Sequence, residues 1–423
     1  MSTQRDVIVV GGGIGGLSAA LALSLQGLSV LVLERSGAFG DVGAGLQLAP
    51  NCTRILDHYG LLDEARALGV LPTAMIARDA IDGSELTRLD LRDLARRYGY
   101  PYLVIHRSDL HAIFLRACQR AGVQLRTSSH VVDYENTSDG ALVRLADGGV
   151  ETGSLVIAAD GLHSVARAKF VGDETVSSSY VAYRGTVPAA ELGDRLGEGD
   201  VNLSEVVVYL GPRCHFVHYG LRGGDVLNQV AVFKSAKAGR GENEWGTPDE
   251  LDKAFLGMHE HIRDGLPHMW RDKWWQMLDR DPIDRWVFGR VVLVGDAAHP
   301  PLQYMAQGAI MAIEDGWVLG QQVRAQQARA GKDVNISWKP LTAAYEAVRA
   351  EHCRRVVITA RAWGDLWHVE GEKRLHRNAI LRAREIDDYS FTDWIYGPTA
   401  LVPEDEPQMY QNLPLSRVEL FEA

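Results

Sequence analysis

Asp6-Val7-Ile8-Val9-Val10-Gly11-Gly12-Gly13-Ile14-Gly15-Gly16-Leu17 decides the fold. A short apolar run passes straight into a glycine turn and then into an apolar helix, and a second apolar run, residues 29–33, ends at Glu34. In the spacing G-x-G-x-x-G, Gly11 permits a tight turn, Gly13 lets a pyrophosphate approach the backbone, and Gly16 lets helix pack on strand. Phosphate would rest on the positive end of the helix. Glu34, about 20 residues on, is placed to accept hydrogen bonds from an adenosine ribose. A glycine turn alone is a weak signal, but strand, helix, second strand and acid in register predict a β-α-β dinucleotide unit.

The fingerprint serves both NAD and FAD, so later stretches must separate them. Residues 156–160 form a buried strand that meets Asp160-Gly161, with Ser164 and Arg167 on a following helix. Residues 290–294 form another, ending in Gly295-Asp296 and then Pro300-Pro301. Taken singly, a strand followed by such a turn is ordinary.

Composition narrows the field. At 423 residues the chain suggests two or three domains, each able to bury an apolar core. A net charge of −11 disfavours a nucleic-acid partner. Cys52, Cys118, Cys214 and Cys353 are widely spaced, so no zinc site or disulfide scaffold is expected, no metal is assigned, and a reducing cytoplasm fits. The polar residues 1–6 do not read as a secretory leader, and no run reaches the ~20 apolar residues of a membrane span.

In order, G-G-G-I-G-G at 11–16, His106-Arg107-Ser108-Asp109-Leu110, D-G-x-x-S-x-x-R at 160–167 and G-D-A-A-H-P at 295–300 resemble the class A flavin-dependent aromatic monooxygenases, the para-hydroxybenzoate hydroxylase superfamily. Ala182-Tyr183-Arg184-Gly185, Gly211-Pro212-Arg213-Cys214-His215-Phe216, Trp274-Trp275, Pro300-Pro301-Leu302-Gln303-Tyr304 and Trp363-Gly364-Asp365-Leu366-Trp367-His368 are most similar to the branch that hydroxylates 3-hydroxybenzoate at carbon 6. The resemblance and the periodicity together imply an α/β fold: a Rossmann-like FAD-binding domain with an inserted, mostly antiparallel β-sheet substrate domain and a C-terminal helical segment. The boundaries are 1–71, 102–178 and 286–340 for the FAD-binding domain, 72–101 and 179–285 for the substrate domain, and 341–423 for the helical segment. Trp363, Trp367 and Trp394 are expected to pack within that segment, with a dimer contact as second choice.

The resemblance further implies tightly but non-covalently bound FAD, NADH as a transient co-substrate, with no residue deciding against NADPH, and dioxygen and a small aromatic acid as partners; a homodimer is expected as the common default. The implied reaction is hydroxylation of 3-hydroxybenzoate para to its phenol through a flavin C4a-hydroperoxide, giving 2,5-dihydroxybenzoate (gentisate). Salicylate or 6-hydroxynicotinate hydroxylation, or a non-hydroxylating flavin oxidase, are the alternatives. Cofactor contacts fall on Gly11, Gly13, Gly15, Gly16, Glu34, Arg35, Gln47, Arg107, Val131, Asp160, Asp296, Gly308 and Ala309. Asp296 could equally cap the helix that follows it.

A phenol has a pKa of ~10, as tyrosine does, so little phenolate exists at neutral pH and attack on its ring calls for a base of suitable pKa beside it. On a strand spanning 214–221, His215, Val217 and Tyr219 share one face and Phe216 and His218 the other. A histidine titrating near neutrality suits a base, although both residues could also be ordinary half-buried strand side chains. The resemblance assigns His215 as base and Tyr219 and Gln303 as substrate hydrogen-bonding groups. It leaves the carboxylate to Arg213, Arg222 or backbone amides.

Overall fold

The apolar runs resolve into two large sheets in the computed structural model, which describes residues 5–40, 43, 45–193, 201–331 and 335–397. The opening run forms the strand Arg5–Val10, whose Val7, Ile8 and Val9 are fully buried, as expected of a parallel strand covered on both faces. It pairs in parallel with Val30–Leu33 on one side and Val150–Ala158 on the other. Gln124–Arg126 and Val291–Leu293 extend the parallel set outward, and Val287–Phe288 closes one edge. Val131–Asn136 and Ala141–Leu145 pair antiparallel with each other, and the second of them pairs with the start of Val150–Ala158, making eight strands in all.

The second sheet has seven strands, in the order Trp275–Asp279, Val176–Pro188, Val226–Lys234, Cys214–Leu221, Glu205–Gly211, Ala74–Asp79 and Glu85–Asp90. Every pairing in it is antiparallel except that of Glu205–Gly211 with Ala74–Asp79. A two-stranded ribbon, Gly45–Leu48 with Leu103–His106, lies outside both sheets. Residues 236–247 contain one short helix, Ala236–Gly239, capped by the Ser235 hydroxyl.

Two helices fix the nucleotide half. Ile14–Ser24 follows the glycine turn, and Gly308–Ala330 crosses it at very close range. A Cβ on Gly316 would lie 2.6 Å from the Ala19 backbone nitrogen, and one on Gly15 would lie 2.9 Å from the Cβ of Ala312. The seam therefore runs on glycine and alanine.

The third helix, Trp338–Trp367, is 30 residues long and starts just before the sequence-drawn boundary. It touches the first sheet through Tyr345, whose hydroxyl donates to Leu293 O, and the second through Arg361, whose Nε donates to Asp279 at 2.7 Å. Gly371–Arg382 continues along the second sheet, with Arg374 holding Asp79 in a two-pronged ion pair. Trp363 packs edge-on against Trp367 and Phe391, and Arg355 lies over Trp394. Residues 398–423 of the proposed helical segment lie outside the described residues.

Candidate active site

The glycines explain themselves by what a side chain would meet. Gly11 has φ +107°, and a Cβ there would lie 2.2 Å from Ala159 O; one on Gly16 would lie 2.0 Å from Gly11 O. Around Gly13 a Cβ would meet nothing within 4 Å. That open position is the N-cap of Ile14–Ser24, which has no side-chain cap and no acid in its first turn. Gly308–Ala330 likewise begins without a capping side chain or first-turn acid, and the contact of Gly15 with Ala312 brings the two helix starts together. Two uncapped positive helix ends side by side suit a pyrophosphate and an electron-rich ring. FAD therefore fits the residues present.

Glu34 bridges the turn rather than standing free. Its Oε2 accepts from Gly12 N at 2.8 Å and its Oε1 from Ser36 N at 2.8 Å. Arg35 beside it is exposed. Val131 is buried two residues after Ser129, whose N–H donates to Glu34 O. Asp160 is committed to the fold: its Oδ2 accepts from the Tyr134 hydroxyl and from Val165 N and Ala166 N, fixing the start of the helix Val165–Phe170. Arg167, fully buried, reaches back to donate to Ala297 O and Ala298 O, so the D-G-x-x-S-x-x-R stretch braces the G-D-A-A-H-P loop from behind.

That loop is also held from below by charge. The Asp315 carboxylate accepts from Gly295 N at 2.8 Å, His299 Nε2 at 2.6 Å and Arg349 Nε at 2.8 Å, all buried. Burial by itself would strip the proton from His299, but Asp315, with Cys353 beyond it, overrides this and lifts the pKa to about 10. His299, Asp315 and Cys353 have the composition of a metal trio, yet Asp315 already spends its oxygens on these three donors. Asp296 itself is accessible and makes no capping bond. Protein surrounds it closely enough that burial raises its pKa above the usual carboxylate value, against the opposing pull of Arg107 and then His299.

The second sheet supplies the other wall. Three cross-strand rows share one face: Ala182, Val232 and His215; Arg184, Val230 and Val217; Thr186, Asn228 and Tyr219. The expected strand parity holds, since Phe216 and His218 pack on the opposite face with Tyr209. His215 and Tyr219 stand four residues apart, a span of about 13 Å, so they bracket a space and do not touch. Tyr219 closes against Gly45, where a Cβ would lie 2.5 Å from its ring, and Asn228 Oδ1 accepts from Gly45 N at 3.1 Å. Gln47 accepts from the Tyr102 hydroxyl at 2.7 Å. Gln303 lies in a single turn, Gln303–Met305, whose Tyr304 ring sits 5.6 Å from that of His215.

Arg184 went unnoticed as a site residue in the sequence. It is the sole charge on Val176–Pro188, with its guanidinium 5.4 Å from the Trp275 ring. No side-chain hydrogen bond holds it among the described residues. Burial holds its pKa below the ordinary value, with Tyr219 opposing and Arg107 adding to the depression. An isolated charge in an apolar strand was the available signal. Arg213 and Arg222, the sequence candidates for the carboxylate, are exposed, and Arg222 pairs with Asp109.

His215 is 1% exposed and boxed by Tyr304, Trp367 and His368. Burial pushes its pKa down to about 3, so the titration near neutrality assumed from sequence does not survive folding.

The FAD binding domain family model matches residues 4–357. The chain is 38% identical over 396 residues to a 3-hydroxybenzoate 6-hydroxylase of Polaromonas naphthalenivorans, covering 92% of this chain and 95% of that one. It is 31% identical to a 6-hydroxynicotinate 3-monooxygenase of Bordetella bronchiseptica, covering 94% and 97%. Among solved structures, Klebsiella pneumoniae HpxO complexed with FAD and uric acid superposes with a TM-score of 0.77 at 27% identity, covering 90% and 93%. With its glycine cradle, its G-D-A-A-H-P loop and a family match across most of its length, the chain belongs to the FAD binding domain family of flavin-dependent aromatic monooxygenases.

Proposed function

We propose that the protein hydroxylates 3-hydroxybenzoate para to its phenol, consuming NADH and dioxygen and releasing 2,5-dihydroxybenzoate (gentisate) and water. The observation that carries this reading is the sheet face itself, with polar groups at both ends, valines along it and, in its middle row, one guanidinium that no hydrogen bond among the described residues holds. The names of the relatives support the choice of acid. FAD, when bound and reduced, supplies the activation of dioxygen. Gly11, Gly13, Gly15, Gly16 and Glu34 would hold its nucleotide end, and Gln47, Arg107, Asp296, Gly308 and Ala309 its ring end.

The chain's own part is placement. Arg184 attracts the benzoate carboxylate, since a guanidinium matches a carboxylate with two parallel N–H bonds. His215 and Gln303 face the phenol oxygen, while Tyr219 closes the side next to Gly45. Val217, Val230 and Val232 keep water from the ring. The 6-hydroxynicotinate reading shares all of these features, because that acid also joins a carboxylate to a ring hydroxyl.

The test is a panel of hydroxybenzoates and hydroxynicotinates given to the FAD-loaded protein with NADH or NADPH under labelled dioxygen. The expected outcome is gentisate bearing one labelled oxygen, formed from 3-hydroxybenzoate with NADH. Label arriving from water, or a nicotinate outpacing every benzoate, would overturn it.

A further inference from the structure

The second histidine beside His215 decides what His215 offers to a bound ring. His368, one residue past the long C-terminal helix, lies with its imidazole stacked 4.4 Å from the Tyr180 ring, and its Nε2 is 2.8 Å from His215 Nδ1. The two residues are 153 positions apart in sequence. Backbone ties hold the pair: His368 O accepts from Arg213 N, at the turn leading into the His215 strand.

Each neutral imidazole carries one N–H and one bare nitrogen, and which is which follows from the partners available. His368 Nδ1 is buried and has no partner among the described residues. A proton there would leave a sealed N–H with no acceptor, and orphaned buried N–H groups are rarer than under-used acceptors. The proton of His368 therefore belongs on Nε2, where His215 Nδ1 receives it. His215 must then carry its own proton on Nε2, the nitrogen that makes no hydrogen bond to the described residues and is not sealed in. The opposite arrangement would put a lone pair on His215 Nε2 at the cost of the orphaned N–H on His368. Burial above all, and then the charges of Arg377 and Lys234, disfavour a third arrangement in which His368 becomes a cation.

We propose that His368 is a positioning residue that fixes the tautomer of His215, so that His215 presents an N–H donor, and not a lone pair, to the substrate's ring oxygen. The donor favours the phenolate over the phenol, and the phenol proton leaves to bulk water as the anion binds. His215 thereby shares the oxygen's negative charge without having to accept a proton. The electron-rich ring needed for hydroxylation is selected at binding. This rests on the phenolic-acid reading above only in its second half, since the tautomer is a property of the protein alone.

Two measurements keep the halves apart. Long-range proton–nitrogen spectra of FAD-loaded protein with labelled histidines, assigned with His215→Gln and His368→Gln, read the tautomer directly. The expected result is a bare Nδ1 and a protonated Nε2 on His215; a protonated Nδ1 with a bare Nε2 overturns the proposal whatever the substrate. Titrating 3-hydroxybenzoate bound to the oxidised enzyme, without reductant, by its phenolate absorbance reads the consequence. In wild type and in His368→Gln, which keeps an N–H donor, the bound phenol should ionise at least ~10-fold more readily than free phenol, a shift of about one pH unit or more. His368→Glu, which offers an acceptor and turns His215 around, leaves a lone pair that takes the phenol proton, so the ionisation should move away from the wild-type value and kcat should fall while KM stays within ~3-fold. An unchanged shift in a folded His368→Glu protein overturns the proposal. Absence of benzoate binding in wild type would instead remove the substrate reading and leave the nitrogen spectra to decide the tautomer.

Discussion

The nucleotide cradle and the sheet face opposite it are built by contrary means. The cradle is made by backbone: Gly11, Gly13 and Gly16 matter for what they lack, and all lie within one short stretch. The sheet face is made by side chains, His215, Arg184 and Tyr219, that share a surface only because separate strands pair in one register. At Gly11 and Gly16 the first has no room for an added atom, while the second depends on the groups its side chains carry. A binding surface made of main chain is specified locally and fails abruptly. One made of side chains is specified by topology and fails by degrees.

The sharpest way to break this contrast is Gly16→Val. A branched side chain 2.0 Å from Gly11 O has no room, and the purified protein should retain no FAD, seen as loss of flavin absorbance. Gly13→Ala is the control within the same turn: with nothing within 4 Å, the apoprotein's melting should be unchanged, while FAD Kd rises ~10-fold, about 1.4 kcal/mol. If both variants unfold alike, the distinction between packing and phosphate glycines is wrong.

Next in size is Asp315→Asn, which leaves His299 and Arg349 buried without their shared counter-charge. Losing one partner of such a network costs about 3–5 kcal/mol, to be read from chemical denaturation. Arg184→Met comes third. It should raise KM for the benzoate ~10–100-fold with FAD Kd and melting temperature nearly unchanged, and an equal loss of flavin would move Arg184 from the sheet face's account to the cradle's.

The smallest effect separates two histidines by sign. His299 is held at about 10, above the ~6.5 of an unfolded histidine, so its contribution to stability is complete below about pH 6.5 and fades as pH rises through 10. His215 is held at about 3, so its contribution is complete above about pH 6.5 and fades as pH falls toward 3. Melting temperature against pH should lose part of its alkaline fall in His299→Gln and part of its acid fall in His215→Gln.

The same contrast explains what could be read from sequence. The turn at Gly11–Gly16 and the strand ending at Glu34 are local, so their spacing carries the geometry. Strand parity put His215, Val217 and Tyr219 on one face, and the pairing agrees. Parity says nothing about distance, however, and the two polar residues proved to bracket a space without meeting. Arg184 needed the pairing of Val176–Pro188 with Val226–Lys234 before it could be placed beside Val230, in one row with Val217. His368 needed the whole path of the C-terminal helix. The ordinary pKa assumed for His215 failed because burial is a property of the assembled box of Tyr304, Trp367 and His368, and no single stretch of sequence contains it.

Trp338–Trp367 reaches Leu293 with Tyr345, Asp315 with Arg349 and Asp279 with Arg361, and then hands the chain to His368. Its 30 residues rise about 45 Å in one stiff piece. The spacing of the two sheets is thus gauged by a single rod, notched at each of those arginines. Inserting one residue between Arg349 and Arg361 would turn everything beyond it by about 100°, and both halves could stay intact while the reaction lost its aim.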